Sequence, residues 1–247
     1  MKVIIIAAGK GKRISNEFKE IPKALIPING QSIFEKQKHV FESNNISEFI
    51  VITGPKNKFK DKEIKIVQDF ENQNHDILGS LIVAKQFLND DLIISYSDII
   101  FEQKIIEQIL ETPGDIVIAV DMNWKKAYEG RTEHTIEEAE NVLLNNKNQI
   151  LEIKKNIPEK KELVGEFLGI IKMTKNGSKK FLDKIENLQK SDIENFHNAK
   201  SLEKGYLTDM IQELIDCSFV ITPAFISGKW CEIDTKQDLE RAEKIFK

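Results

Sequence analysis

Apolar positions in the first half of the chain come in short, unbroken runs. Val3 to Ala8 ends at Gly9, Phe49 to Thr53 ends at Gly54-Pro55, and Leu92 to Tyr96 and Ile116 to Val120 repeat the pattern. Runs of this length, rich in β-branched residues and apolar on both faces, predict strands covered on both sides. Ile64 to Val67 predicts a further short strand. Between the strands the spacing becomes helical. Ser32 to Phe41 offers Ile33, Phe34, Gln37 and Phe41 to one face, and Leu78 to Leu88 and Gln103 to Leu110 predict two more helices. This alternation predicts an α/β fold with a parallel sheet. Ligands of such sheets bind beyond the carboxyl ends of the strands, where Gly9 to Arg13 and Asp98 fall.

The second half changes character. Val142 to Leu144 and Ile150 to Ile153 flank Asn145-Asn146-Lys147-Asn148, which predicts a hairpin. Gly165 to Met173 and Phe219 to Phe225 read as strands, and Phe181 to Leu188, Leu207 to Ile215 and Lys236 to Phe246 as helices. No repeat, low-complexity stretch or linker interrupts the chain, so a single domain over 1–247 with a mixed sheet is expected.

Charge narrows the partners. The formal net charge is -4 with no basic tract, which argues against nucleic acid. An acidic chain that binds an anion must gather its positive charge locally. Arginine is scarce, at Arg13, Arg131 and Arg241, so its placement is informative. Cys217 and Cys231 lack metal-type spacing, which favours a reducing, cytoplasmic setting. The first apolar run is far too short to span a membrane, and no signal-peptide layout is present.

The chemistry starts at Ala7-Ala8-Gly9-Lys10-Gly11-Lys12-Arg13, directly after the first strand. Glycines there let successive backbone N–H groups turn inward as an anion nest, and Lys10, Lys12 and Arg13 add charge suited to a triphosphate. The dinucleotide-binding pattern fails because Ile14 stands where its third glycine belongs, and the P-loop pattern is absent. Further on, Pro22-Lys23-Ala24-Leu25, followed by Pro27, is a stiffened segment that aims Lys23. Ser95-Tyr96-Ser97-Asp98 ends a buried strand with a carboxylate, and Asp234 precedes the last helix, where Asp234-Thr235 also reads as a cap. Two such aspartates suit magnesium, which takes carboxylate oxygens together with substrate phosphate. Glu232 is either a third ligand or an exposed strand residue.

Together, the glycine turn and Pro22-Lys23-Ala24-Leu25 resemble the signature of nucleotidyltransferases that activate sugar phosphates, phosphocholine and phosphonates. The resemblance implies a Rossmann-like three-layer α/β sandwich with a mixed, mostly parallel sheet. It divides the domain into a nucleotide-binding half over about 1–125 and an acceptor-binding half over about 126–247. Ala7, Ala8, Gly9, Gly11 and Lys12 would wrap the triphosphate, Arg13 and Lys23 would neutralise charge at the attacked α-phosphate, and Asp98 and Asp234 would hold Mg2+. Asp76, Gly79 and Ser80, in Asn74 to Leu81, would lie against base and ribose. Their Gly-Ser-Leu version is similar to cytidylyltransferases and implies CTP. Lys155 matches a second lysine near the acceptor phosphate.

Glu129 to His134, Gly165 to Gly169 and Tyr206 to Asp209 resemble enzymes linked to phosphoenolpyruvate mutase, relatives of 2-aminoethylphosphonate cytidylyltransferase. Arginine binds phosphonate or phosphate bidentately. Arg131, His134 and Glu166 are therefore the acceptor candidates, with Glu166 facing a cationic group such as an amine. Tyr206 and Asp209 read first as helix-start residues. Phosphocholine remains open as acceptor, with Trp124, Tyr128 and Glu166 available for a cage. A sugar-1-phosphate enzyme, a non-catalytic nucleotide-binding module and a homodimer also stay open.

Overall fold

The computed structural model describes residues 1–9, 13–158, 163–191 and 194–247. In chain order, β1 is Lys2–Ala7, β2 Pro27–Ile28, β3 Gln31–Ser32, α1 Ile33–Ser43, β4 Glu48–Thr53 and β5 Lys65–Gln68. Then come α2 Ile77–Val83, β6 Leu92–Tyr96, β7 Ile99–Phe101, α3 Gln103–Glu111, β8 Ile116–Asp121 and α4 Lys125–Tyr128. The rest comprises β9 Glu140–Leu144, β10 Ile150–Lys155, β11 Leu163–Met173, α5 Lys175–Lys190, α6 Leu207–Asp216, β12 Thr222–Phe225, β13 Trp230–Glu232 and α7 Lys236–Ile245.

Nine strands form one sheet, with the order β10-β9-β11-β6-β1-β4-β5 and with β8 and β12 attached through β11. The pairings set β1, β4, β5, β6, β8, β9 and β12 in one direction and β10 and β11 against them. The sheet is therefore mixed and mostly parallel. Alternation along β1 explains the layers. Ile4 and Ile6 join Leu78, Leu81, Phe181 and Met210 on one face, while Val3 and Ile5 join Phe34, Phe41, Ile105 and Ile109 on the other. α1 and α3 thus cover one side, and α2, α5 and α6 the other.

Three differences from the sequence reading have local causes. α2 stops at Val83, and Lys85–Phe87 continues as a single 3-10 turn. α5 starts at Lys175, well before Phe181. Its first two turns are Lys-Asn-Gly-Ser-Lys-Lys, which carry no apolar period, and the Thr174 side chain caps them by accepting from Gly177 N. The antiparallel β7–β13 pair has no counterpart in the sequence reading, because its strands are only three residues each.

β11 carries a register shift between Phe167 and Ile171. Gly169 sits in it with φ +69, and a Cβ there would lie 2.2 Å from the Tyr96 ring. Only glycine lets the bulged strand cross that ring. The shift leaves Glu166 and Tyr96 facing the same cavity at the carboxyl end of the parallel strands.

Candidate active site

β1 ends at Ala7, which is buried, and Ala8 and Gly9 follow it. The next fixed point is a 3-10 turn over Lys23–Leu25. Pro22 supplies the fixed φ that enters this turn, Ala24 and Ile26 are fully buried beneath it, and Lys23 N donates to Gly9 O at 3.3 Å. The Lys23 side chain is thereby held over the strand ends. Its ammonium donates to Asp98 Oδ2 at 2.8 Å and also to Asp234 Oδ1.

The small β7–β13 ladder brings those two carboxylates together. Asp98 precedes β7, Asp234 follows β13, Glu232 pairs with Ile99, and Ile233 N donates to Asp98 O at 2.7 Å. Burial would lower the Lys23 pKa, but the charges of Asp98 and Asp234 overcome it and raise it. Burial would likewise raise Asp234. The nearby His134 ring and the charge of Lys23 hold it well below the usual carboxylate range. Arg13 NH2 lies 2.9 Å from Asp234 Oδ2, and Arg13 NH1 lies 3.7 Å from Glu138 Oε2.

His134 is buried between two carboxylates, with Nδ1 3.2 Å from Asp234 Oδ2 and Nε2 3.6 Å from Glu232 Oε2. His134, Glu232 and Asp234 each bring a ligand-type atom within 4.8 Å of the others. The two ring nitrogens face different carboxylates, and Nδ1 makes no hydrogen bond among the described residues. Burial, then Asp234 and Asp98, push the Glu232 carboxyl up.

A cavity of about 200 Å³ opens beside this cluster. Arg13, Lys23, Asp98, His134, Glu232 and Asp234 line it together with Lys155, Glu166 and the rings of Tyr96, Tyr128, Tyr206 and Trp230. Lys155, at the end of β10, lies 5.0 Å from the Tyr206 ring centre. Glu166 accepts a hydrogen bond from the Tyr128 hydroxyl through Oε1. Its Oε2 is buried without a hydrogen-bond partner among the described residues, and burial drives this carboxyl well above the ordinary value.

Glu140, at the start of β9, accepts from the Tyr96 hydroxyl at 3.1 Å. Burial pushes its carboxyl up to about 7, against the pull of Lys155 and of that hydroxyl. An acid that holds its proton more tightly when folded favours the fold below its unfolded value, here 4.5. That contribution is lost as pH climbs to about 7. Glu140→Gln removes the dependence. The melting temperature of the variant is expected to gain several degrees on wild type between pH 4.5 and about 7, read from melts across that window.

The cavity thus gathers Lys23, Arg13, Lys155, Asp98, Asp234, His134 and Glu166. It does not gather every expected residue. Gly11 and Lys12 lie outside the described residues. Gly79 and Ser80, expected against the base, are turned into the protein. Ser80 Oγ donates to the fully buried Asp69 at 2.8 Å, and a Cβ on Gly79 would sit 2.4 Å from Glu203 O. Asp76 lies at the N-cap of α2, its N donating to Glu203 O at 2.8 Å, and it lines a neighbouring hollow with Lys155 and Tyr206.

Arg131 is the main correction. Its side chain is only 4% exposed, and its Nε lies 2.9 Å from Asp238 Oδ1. The guanidinium also stacks 4.7 Å from the Tyr128 ring centre, so it stands behind the cavity wall and is not free for a phosphonate.

Sequence reasoning also missed Asp238, Asp69 and Glu140. Only Asp238 had a signal, the Thr235-x-x-Asp238 spacing of a capping box, and that spacing speaks of a helix start alone.

A model of the MobA-like NTP transferase domain matches residues 3–160. A CTP:phosphoglutamine cytidylyltransferase of Campylobacter jejuni is 28% identical over 97% of this chain and 98% of its own. A bifunctional GlmU protein of Methanococcus maripaludis is 26% identical over 100% of this chain but 54% of its own, so the chain spans about half of that relative. Among solved structures, an inositol-1-phosphate CTP transferase from T. maritima superposes with a TM-score of 0.74 at 18% identity, covering 99% of this chain and 95% of its own. A CTP:phosphocholine cytidylyltransferase from Streptococcus pneumoniae gives a TM-score of 0.74 at 20% identity, covering 100% of this chain and 99% of its own. Both share the nucleotidyltransferase sandwich. The matched domain spans the glycine turn, Lys23 and Asp98, and on that match the chain belongs to the MobA-like NTP transferase domain family and is a nucleotidyltransferase.

Proposed function

We propose that the chain transfers CMP from CTP to a small acceptor that carries a phosphonate or phosphate, releasing pyrophosphate. The observation that carries this reading is the Lys23 ammonium held between Asp98 and Asp234 at the mouth of a cavity that also contains Arg13 and Lys155. The full-length likeness to a CTP:phosphoglutamine cytidylyltransferase supports CTP and a phosphorylated acceptor.

Asp98 and Asp234 direct one oxygen each at a single cation, the Lys23 ammonium, and oxygen donors of this kind fit Mg2+. Bound there, the ion would offset charge on the phosphate oxygens. Lys23 and Arg13, which the carboxylates hold in this structure, would turn to the same phosphate charge from the protein side once the ion takes their place. Lys155, beside Tyr206, holds the acceptor phosphate or phosphonate. That acceptor is already ionised near neutral pH, so its oxygen attacks the α-phosphorus without a general base. Correct positioning alone supplies up to ~7–11 kcal/mol of barrier reduction. In this reading the first half of the chain grips the nucleotide and the second half the acceptor.

Glu166, with its unpartnered Oε2, favours an acceptor that bears an amine, as in 2-aminoethylphosphonate, because an ammonium beside it would offset the burial that keeps the carboxyl protonated. Phosphocholine is the second reading, favoured by the Tyr128 and Trp230 rings that line the cavity; Trp124, also expected there, does not line it and donates its indole N–H to Val164 O at 3.0 Å. The test is pyrophosphate release across four nucleoside triphosphates, with 2-aminoethylphosphonate, 2-hydroxyethylphosphonate, phosphocholine and glucose-1-phosphate as acceptors. Release confined to CTP with a phosphonate or phosphocholine is the expected result. Release only with UTP or dTTP and a sugar phosphate would overturn it.

A further inference from the structure

The loop that carries Arg131 and His134 is fastened by the first turn of α7. Gln237 Oε1 accepts from Thr132 N at 2.8 Å and from Glu133 N at 3.3 Å, and Gln237 Nε2 donates to Gly130 O at 3.0 Å. The next residue, Asp238, uses its two oxygens differently. Oδ2 accepts from Asp234 N at 3.2 Å, Thr235 N at 3.0 Å and Thr235 Oγ1 at 2.9 Å. Oδ1 forms an ion pair with Arg131, 2.9 Å from its Nε. Asp238 is 1% exposed, and the Arg131 side chain is scarcely more open.

A capping box satisfies orphan backbone donors with one oxygen and needs no buried arginine. Here the second oxygen joins the cap to the loop. Three residues past Arg131, His134 lands with Nδ1 3.2 Å from Asp234 Oδ2, on the carboxylate whose own backbone N–H Asp238 holds. Asp238 thus holds the backbone of Asp234, while the loop it anchors through Arg131 brings His134 to the same residue's side chain, beside Lys23 and Arg13.

We infer that Asp238 and Arg131 are positioning residues that act together through Asp234 and His134. Arg131 serves the reaction by orienting a carboxylate and does not bind the acceptor. This rests on Asp234 being the cation-binding carboxylate of the proposed transfer. The alternative, an arginine that grips the acceptor phosphate, leaves Asp238 without a part in the reaction, so the two roles separate cleanly in experiment.

The test compares Asp238→Asn, Arg131→Lys and the double variant with wild type. For positioning, each single variant lowers kcat about tenfold or more and leaves the acceptor KM within about threefold, and the double variant is no worse than the poorer single one. An acceptor KM raised tenfold at unchanged kcat in Arg131→Lys would overturn the inference, and so would fully additive losses. A second readout needs no turnover. The chain has only 4 histidines, so the ring nitrogen signals of His134 can be followed by NMR. They are expected to shift or vanish in Asp238→Asn while the His39 and His197 signals stay in place. An unmoved His134 signal would sink the inference whatever the enzyme catalyses. A moved signal in a protein that never releases pyrophosphate would leave the coupling standing and remove the proposed transfer instead.

Discussion

Lys23→Ala is expected to lower the rate of pyrophosphate release from CTP by about 100- to 1000-fold, the loss that follows removal of one fixed charge-stabilising donor. The ammonium sits where two carboxylates meet, with its side chain only 14% exposed, and among the described residues no other lysine pairs with either carboxylate. Lys23→Arg should not restore activity. A planar guanidinium is broader than an ammonium and cannot occupy the same point between Asp98 and Asp234. The substitution also leaves the buried Asp234 and the partly exposed Asp98 facing one another without their counter-charge. The variant should therefore melt below wild type in metal-free buffer and gain more from added Mg2+, because the ion supplies the missing charge. Steady-state rates with saturating acceptor, together with melting curves with and without Mg2+, check both parts. A rate within threefold of wild type would take Lys23 out of the reaction.

That residue was legible in the sequence because its setting is local. Pro22, the 3-10 turn and the buried Ala24 are consecutive, and the strand before the glycine turn is an uninterrupted apolar run. The parallel sheet was legible for the same reason, since β1, β4, β6 and β8 each announce themselves by six or fewer apolar positions in a row. What escaped was settled by pairing between distant segments. Arg131 looked free in a polar run between Glu129 and Glu133, whereas the carboxylate that pairs with its Nε, Asp238, arrives from α7. Gly79 and Ser80 looked like a surface for a base. The space beside Gly79 is taken by Glu203, and the Ser80 hydroxyl by Asp69. The first turns of α5 carry no apolar period, and the β7–β13 ladder that joins Asp98 to Asp234 is too short to register as a pattern. Chemistry-bearing motifs can thus be read from one sequence, while the direction a polar side chain takes depends on elements that only the fold brings near.

Asp234→Asn keeps the shape of the side chain and removes its charge, and it is expected to change three quantities together. Turnover should fall by about 100-fold or more, because the remaining carboxylate, Asp98, must hold the divalent ion alone. The Mg2+ concentration for half-maximal rate should rise at least about tenfold. Stability should fall as well, because Lys23, Arg13 and His134 all direct positive or proton-bearing groups at this one carboxylate. Breaking a buried pair costs about 3–5 kcal/mol, and the lower end applies here because Arg13 is half exposed and Lys23 keeps Asp98. For a chain of this length, about 3 kcal/mol is a drop of ~6–12 °C in melting temperature. The sign of its pH dependence is fixed. Asp234 is held below its ordinary carboxylate value of 3.8, so the contribution of its own titration is fully present above that pH and fades as pH falls beneath it. The gap between wild type and variant should narrow below about 3.8, and it should narrow again as pH rises above 6.5, because Asp234 also raises the His134 value and that contribution is lost once the imidazole is neutral. The metal titration decides the assignment. Lost turnover and lost stability would also follow if Asp234 merely anchored Lys23 and His134. An unshifted Mg2+ dependence in a slow, less stable variant would therefore leave Asp234 as an anchor and take it out of cation binding.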